Sequence, residues 1–174
     1  MSSRPTTLKE VAERSDTLEN FGRNLRDWLH ELRRASSRPQ AELRVSEEPP
    51  RLSGKFKDGV VADAWLAAYA AHLAEKIECK VPHWTLSAER VLRKPTFDDA
   101  AQSLQLRELT VKRTPSAFRQ RNIFTPSVDL PLRLRAGRPE KTVEEKRQTN
   151  AERQRRFRQR RAEELERLRQ LSAV

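Results

Sequence analysis

Residues 60–77 contain the run Asp63-Ala-Trp-Leu-Ala-Ala-Tyr-Ala-Ala-His-Leu, which leaves this chain few ways to fold. Its alanines favour helix and let a neighbour approach closely, while Trp65, Leu66, Tyr69, Leu73 and Ile77 supply bulk. A helix is therefore expected from about Val60 to Ile77. Only 36% of the 174 residues are hydrophobic and 35% are charged, so a core exists but is not large. Ten prolines and four glycines favour short helices on stiff connections over a sheet. The expected class is all-α, with a small helical globular centre, an N-terminal helical hairpin and a long basic C-terminal helix.

Five segments follow from the pattern. In residues 1–38, Thr7-Leu-Lys-Glu10 and Asp16-Thr-Leu-Glu19 read as capping boxes that open a short helix and a longer one reaching about Arg34. Leu18, Phe21, Leu25, Trp28, Leu29 and Leu32 make one apolar stripe on the longer helix. That stripe either docks on the centre or forms a homodimer. Residues 39–57, with Pro39 and Pro49-Pro50, read as a linker. Residues 58–128 form the central helical domain. There the alanine-rich helix is followed by an aromatic anchor, Trp84, and a short helix from Ser87 to about Leu92. Another helix is expected from Thr96 to about Leu109, capped by Thr96 with Asp98 and Asp99 near its positive end. Thr114-Pro115 opens a last turn. Residues 129–142 form a basic connector, and 143–174 a basic helix opened by a third capping box, Thr142-Val-Glu-Glu145. From Val143 to Leu171 such a helix spans about 43 Å.

Formal net charge is +11, and residues 131–174 hold 14 basic and 7 acidic residues, a net of +7. The excess is thus concentrated in an arm. Cys79 is the only cysteine, which excludes an intrachain disulfide and a cysteine-based zinc site. No run approaches a membrane span, and the first residues lack the apolar core of a secretory signal, so a cytoplasmic protein without membrane contact is expected.

Arg153, Arg155, Arg156, Arg158, Arg160 and Arg161 crowd into the basic helix, and a polyanion suits such a surface. Asn150 and Arg158, with Leu165 and Leu168 beyond, resemble the basic region and first zipper residues of bZIP proteins. That resemblance implies base contact by Asn150 and phosphate contact by the arginines. The next heptad position is Ser172, and one heptad is not expected to hold a coiled coil. Phe157 is either a packing anchor on the core or an apolar touch on DNA. Gly137-Arg138-Pro139 resembles the centre of an AT-hook, though Glu140 stands where a hook carries a cation; a basic hinge is the competing role for Arg138. A third possibility for the arm is a solvated helix laced by Glu152–Arg156 and Glu163–Arg167 pairs.

Leu8-Lys-Glu-Val-Ala-Glu-Arg resembles the first helix of a helix-turn-helix. The apolar stripe that follows makes the second helix a core or docking element instead. Catalytic patterns are poor. His30, His72 and His83 are scattered, and His72-Leu-Ala-Glu75 is not the two-histidine zinc motif. Cys79 has Lys76 and Lys80 nearby to lower its pKa but no matched base. Asp63 with Asp98 and Asp99 suits a metal less simply than helix capping. No enzyme activity, cofactor or metal is expected.

Residues 60–124, through Asp63-Ala-Trp-Leu-Ala-Ala-Tyr-Ala-Ala-His-Leu-Ala, Pro82-His-Trp-Thr-Leu, Arg90-Val-Leu and Ser116-Ala-Phe-Arg-Gln-Arg-Asn-Ile-Phe, resemble small bacterial antitoxin-like proteins. Such proteins are encoded beside toxin-like partners, often of nucleotidyltransferase type. The arginine-rich tail is similar to basic ends of plasmid- and phage-borne proteins. The resemblance implies a DNA-binding, antitoxin-like regulator with a possible toxin-like protein partner. The alternatives are a protein-interaction module whose basic helix docks on an acidic partner, and an RNA-binding accessory factor.

Overall fold

The computed structural model describes residues 4–97, 103–126, 128–132, 134, 152 and 154–161. It divides into two compact units, residues 1–135 and 136–174.

In the first unit α1 (Leu8–Glu13) starts at Thr7, whose hydroxyl accepts from the Glu10 N–H at 3.2 Å. The Glu10 carboxylate reaches back one residue further than a capping box requires, to the Thr6 N–H at 2.7 Å. The longer helix α2 (Leu18–Leu32) is capped by Thr17, which accepts from Asn20 N–H; Asp16 instead takes the Asn20 amide at 2.6 Å. Phe21, Leu25, Trp28 and Leu32 are buried, and Trp28 meets Tyr69 edge-on at 5.9 Å. The stripe is therefore consumed within the chain. It is not the free surface that a homodimer through the N-terminal helices would need, since only Leu18 at its upper end stays substantially exposed.

Residues 39–57 are not a plain linker. They contain most of α3 (Arg38–Ser46), which begins with Pro39 in its first turn and buries Ala41 and Val45 one turn apart. Proline there lacks only an N–H that had no helical partner. Helix α4 (Gly59–Ile77) is the centre of the unit: it is buried on almost every side, as a helix apolar around its whole circumference must be. Its end is a Schellman turn, with Glu78 in the left-handed region at φ 54° and the Cys79 N–H donating to Ala74 O at 3.0 Å.

After α4 come two single 3-10 turns, His83–Leu86 and Ala88–Arg90, the second where a short helix was expected. Trp84 is the anchor its position suggested: it is buried and its indole N–H donates to Val45 O at 3.1 Å. Thr96 does not cap a helix. Thr96–Phe97 (β1) pairs in parallel with Ile123–Phe124 (β2), and Phe97 stacks on Phe124 at 4.8 Å. The helix expected there, α5 (Leu104–Arg113), begins later, with Ser103 accepting from the Leu106 N–H at 3.2 Å. Asp98 and Asp99 lie outside the described residues. The short α6 (Ser116–Arg119) drives Phe118 into α4, where it meets Tyr69 at 5.2 Å and Trp65 at 5.5 Å, both edge-on. Among the described residues, the regular structure of the unit is thus helical apart from one two-residue strand pair.

The start of the supposed basic connector belongs to this unit as well. Val128, Leu130, Leu132 and Leu134 lie along a strap and all four pack on the core, with the Leu132 N–H donating to Leu130 O at 2.8 Å in a tight turn about Pro131. Asp129 between them pairs with Arg33 at 3.3 Å. Burial and the Asp129 charge push the Tyr69 phenol up to about 12.

Candidate nucleic-acid interface

In the second unit residues 154–161 are helical and every one is exposed. This stretch, Gln154-Arg-Arg-Phe-Arg-Gln-Arg-Arg161, has no acidic residue and no helix breaker, so nothing in it opposes continuous helix. Arg155, Arg156, Arg158, Arg160 and Arg161 form no ion pair among the described residues. The Glu152–Arg156 pair that would mark a solvated, self-neutralised helix is not made. Arg160 Nε donates to the Arg156 carbonyl at 3.4 Å. Phe157 is 61% exposed.

The arginines are not evenly useful. At 3.6 residues per turn, Arg161 and Arg160 lie about 40° and about 60° to either side of Phe157, and Arg158 and Arg156 about 100° to either side. Arg155 points about 160° away, and shares the back of the helix with Gln159 and Glu152. Asn150, Arg153 and Arg138, the capping box at Thr142, and Leu165 and Leu168 lie outside the described residues.

The first unit holds a different concentration of charge, which the sequence reading missed. Asp63 and Arg90 are both fully buried and face each other at 3.4 Å. Asp63 also accepts from the backbone N–H groups of Leu52 at 3.0 Å and Ser53 at 2.9 Å, and from Arg51 Nε at 3.1 Å. Arg90 lies 4.8 Å over the Trp84 ring, donates to Pro49 O at 2.6 Å and approaches Glu48 at 3.3 Å. Arg51 reaches on to the Glu89 carboxylate. Asp63 is thereby fully engaged as a structural clamp, with no ligand position left for a metal. Among the described residues no three His, Cys, Asp or Glu side chains gather as a metal-binding group.

His72 is buried against Phe118 at 5.8 Å, and burial, with Lys76 adding to it, holds its pKa below the ordinary value. Its nearest acidic neighbour, Glu75, is 3.9 Å away and is engaged by the Ser116 hydroxyl at 3.1 Å. Cys79 departs from expectation: burial pushes the thiol up, Glu42 adds to the effect, and the nearby lysines do not reverse it. No helix among the described residues is long and apolar enough to cross a membrane. No family model, no curated protein and no solved structure matches this chain.

Proposed function

We propose that this chain is a DNA-binding regulator whose basic arm contacts phosphates through Arg153, Arg156, Arg158, Arg160 and Arg161 and bases through Asn150, with Arg138 a further contact and Arg155, on the back of the helix, adding charge without a phosphate contact of its own. One observation carries the reading: five arginines within eight consecutive helical residues are exposed and have no ion pair among the described residues. A crowded, mutually repulsive cluster of this kind gains most from a polyanion, because each phosphate neutralised releases condensed counterions. The antitoxin-like role, with a toxin-like protein as partner of residues 60–124, rests on the resemblance of that segment alone.

Binding of the full chain to a short duplex should weaken steeply with salt. If five or six phosphates are contacted, log K against log salt has a slope of roughly −5. Deleting residues 143–174 should abolish the salt-dependent binding. A flat salt response, or affinity that survives the deletion, refutes the reading. Tight capture of an acidic neighbouring gene product with no DNA affinity would favour the protein-docking role instead.

A further inference from the structure

We infer that Phe157 marks the face of the basic helix that meets the bases, and that it reads thymine through its 5-methyl group in the major groove of duplex DNA. The inference deepens the proposed DNA-binding role and rests on it. Its basis is the disposition of side chains around one helix. Phe157 is the one aromatic residue of the stretch 154–161, and it is 61% exposed. Four of the five arginines straddle it in two roughly symmetric pairs, about 50° and about 100° from its bearing, and the back of the helix carries the fifth, Arg155, with Gln159 and Glu152.

A helix about 10–12 Å across fills the B-form major groove, about 12 Å wide, so such a helix has a floor of base edges below it and a phosphate wall on each side. Arginines on both flanks suit the two walls. An apolar ring between them suits the floor, where the thymine methyl is the one apolar group presented. The opposite orientation turns Phe157 to water and puts Glu152 against phosphate. An A-form RNA duplex offers no equivalent seat, because its major groove is too narrow to admit the helix and uracil lacks the methyl.

The test compares the full-length protein on alternating poly(dA-dT) and poly(dA-dU) duplexes, which differ only in the 5-methyl group. The wild type should prefer the thymine duplex by roughly fourfold for each methyl contacted, the factor that burying one such group supplies. Phe157→Ala should bind both duplexes equally with the salt slope unchanged, whereas Phe157→Leu should keep part of the preference. Arg156→Gln, Arg158→Gln, Arg160→Gln and Arg161→Gln should each reduce the slope by about one, and Arg155→Gln should leave it unaltered. Equal wild-type affinity for the two duplexes overturns the placement of Phe157, as does a slope loss at Arg155 matching the others or a preference for RNA duplex. In the first two of those outcomes DNA binding itself survives, whereas a preference for RNA duplex favours the RNA-binding role instead. Absence of any salt-dependent affinity for nucleic acid overturns both the inference and the reading beneath it.

Discussion

At the scale of single residues, the Asp63 carboxylate gathers three separate pieces of chain: α4 on which it sits, the backbone of Leu52 and Ser53, and Arg90. Both ions are removed from water, so the pair gains little over two well-packed apolar side chains, yet either ion alone is severely penalised. Asp63→Ala should therefore cost about 3–5 kcal/mol, measured as a shift in urea midpoint at constant m-value. The double substitution Asp63→Leu with Arg90→Met should recover only the share due to the unpaired Arg90, because the Leu52 and Ser53 N–H groups lose their acceptor in both variants. A single-variant loss below about 1 kcal/mol would show that Arg90 finds other partners. One signal for this clamp stood in the sequence: a lone aspartate within an alanine-rich apolar run must find a cation or donors once buried. Its partner was not legible, because nothing in local spacing connects position 63 to position 90. Phe157 shows the converse. Its identity leaves a core anchor and an apolar touch on DNA both open, and local pattern does not choose between them.

Among the elements, α4 was readable in type and extent because composition and length agree, and Trp84 as an anchor was readable because a tryptophan in a tight turn has few other uses. Helix α3 is hidden in the linker-like composition of residues 39–57 because a proline in the first turn starts a helix as readily as it ends one; its buried face is just Ala41 and Val45, too little for a periodic signal. Thr96 misled for another reason. A threonine before acidic residues fits a cap, but here its backbone is claimed by a partner 27 positions on, Ile123, a pairing that local pattern does not encode. The strap 128–134 was read by its charge, and its period-two apolar residues went unnoticed. The end of α4 supports a prediction at this scale. Glu78 holds φ 54°, a conformation that costs a residue with a Cβ and is free to glycine. Its ion pair with Arg38 is exposed on both sides and contributes little. Glu78→Gly should stabilise the protein by about 0.5–1 kcal/mol, visible as a raised Tm; a lowered Tm would mean that the Arg38 contact outweighs the backbone strain.

For the whole molecule, the division at residue 135 separates stability from the proposed contact surface. The first unit carries the aromatic cluster, the buried clamp and the strap. The second carries the arginines without a described core. A chain ending at Arg135 should accordingly unfold with the cooperative transition and nearly the Tm of the full chain, by circular dichroism, while losing affinity for duplex DNA. Loss of cooperativity in that truncation would mean that residues 136–174 contribute to the core. The charge of residues 154–161 and their freedom from helix breakers were legible in the sequence, and which side is front follows from the 3.6-residue period about Phe157. The buried clamp also has a consequence in time. Asp63 leaves the ribosome 27 residues ahead of Arg90, which at ordinary synthesis rates is about one to five seconds. Until Arg90 follows, Asp63 has only the partners that precede it, Arg51 and the Leu52 and Ser53 N–H groups, and the clamp on the most apolar helix stays open on its Arg90 side.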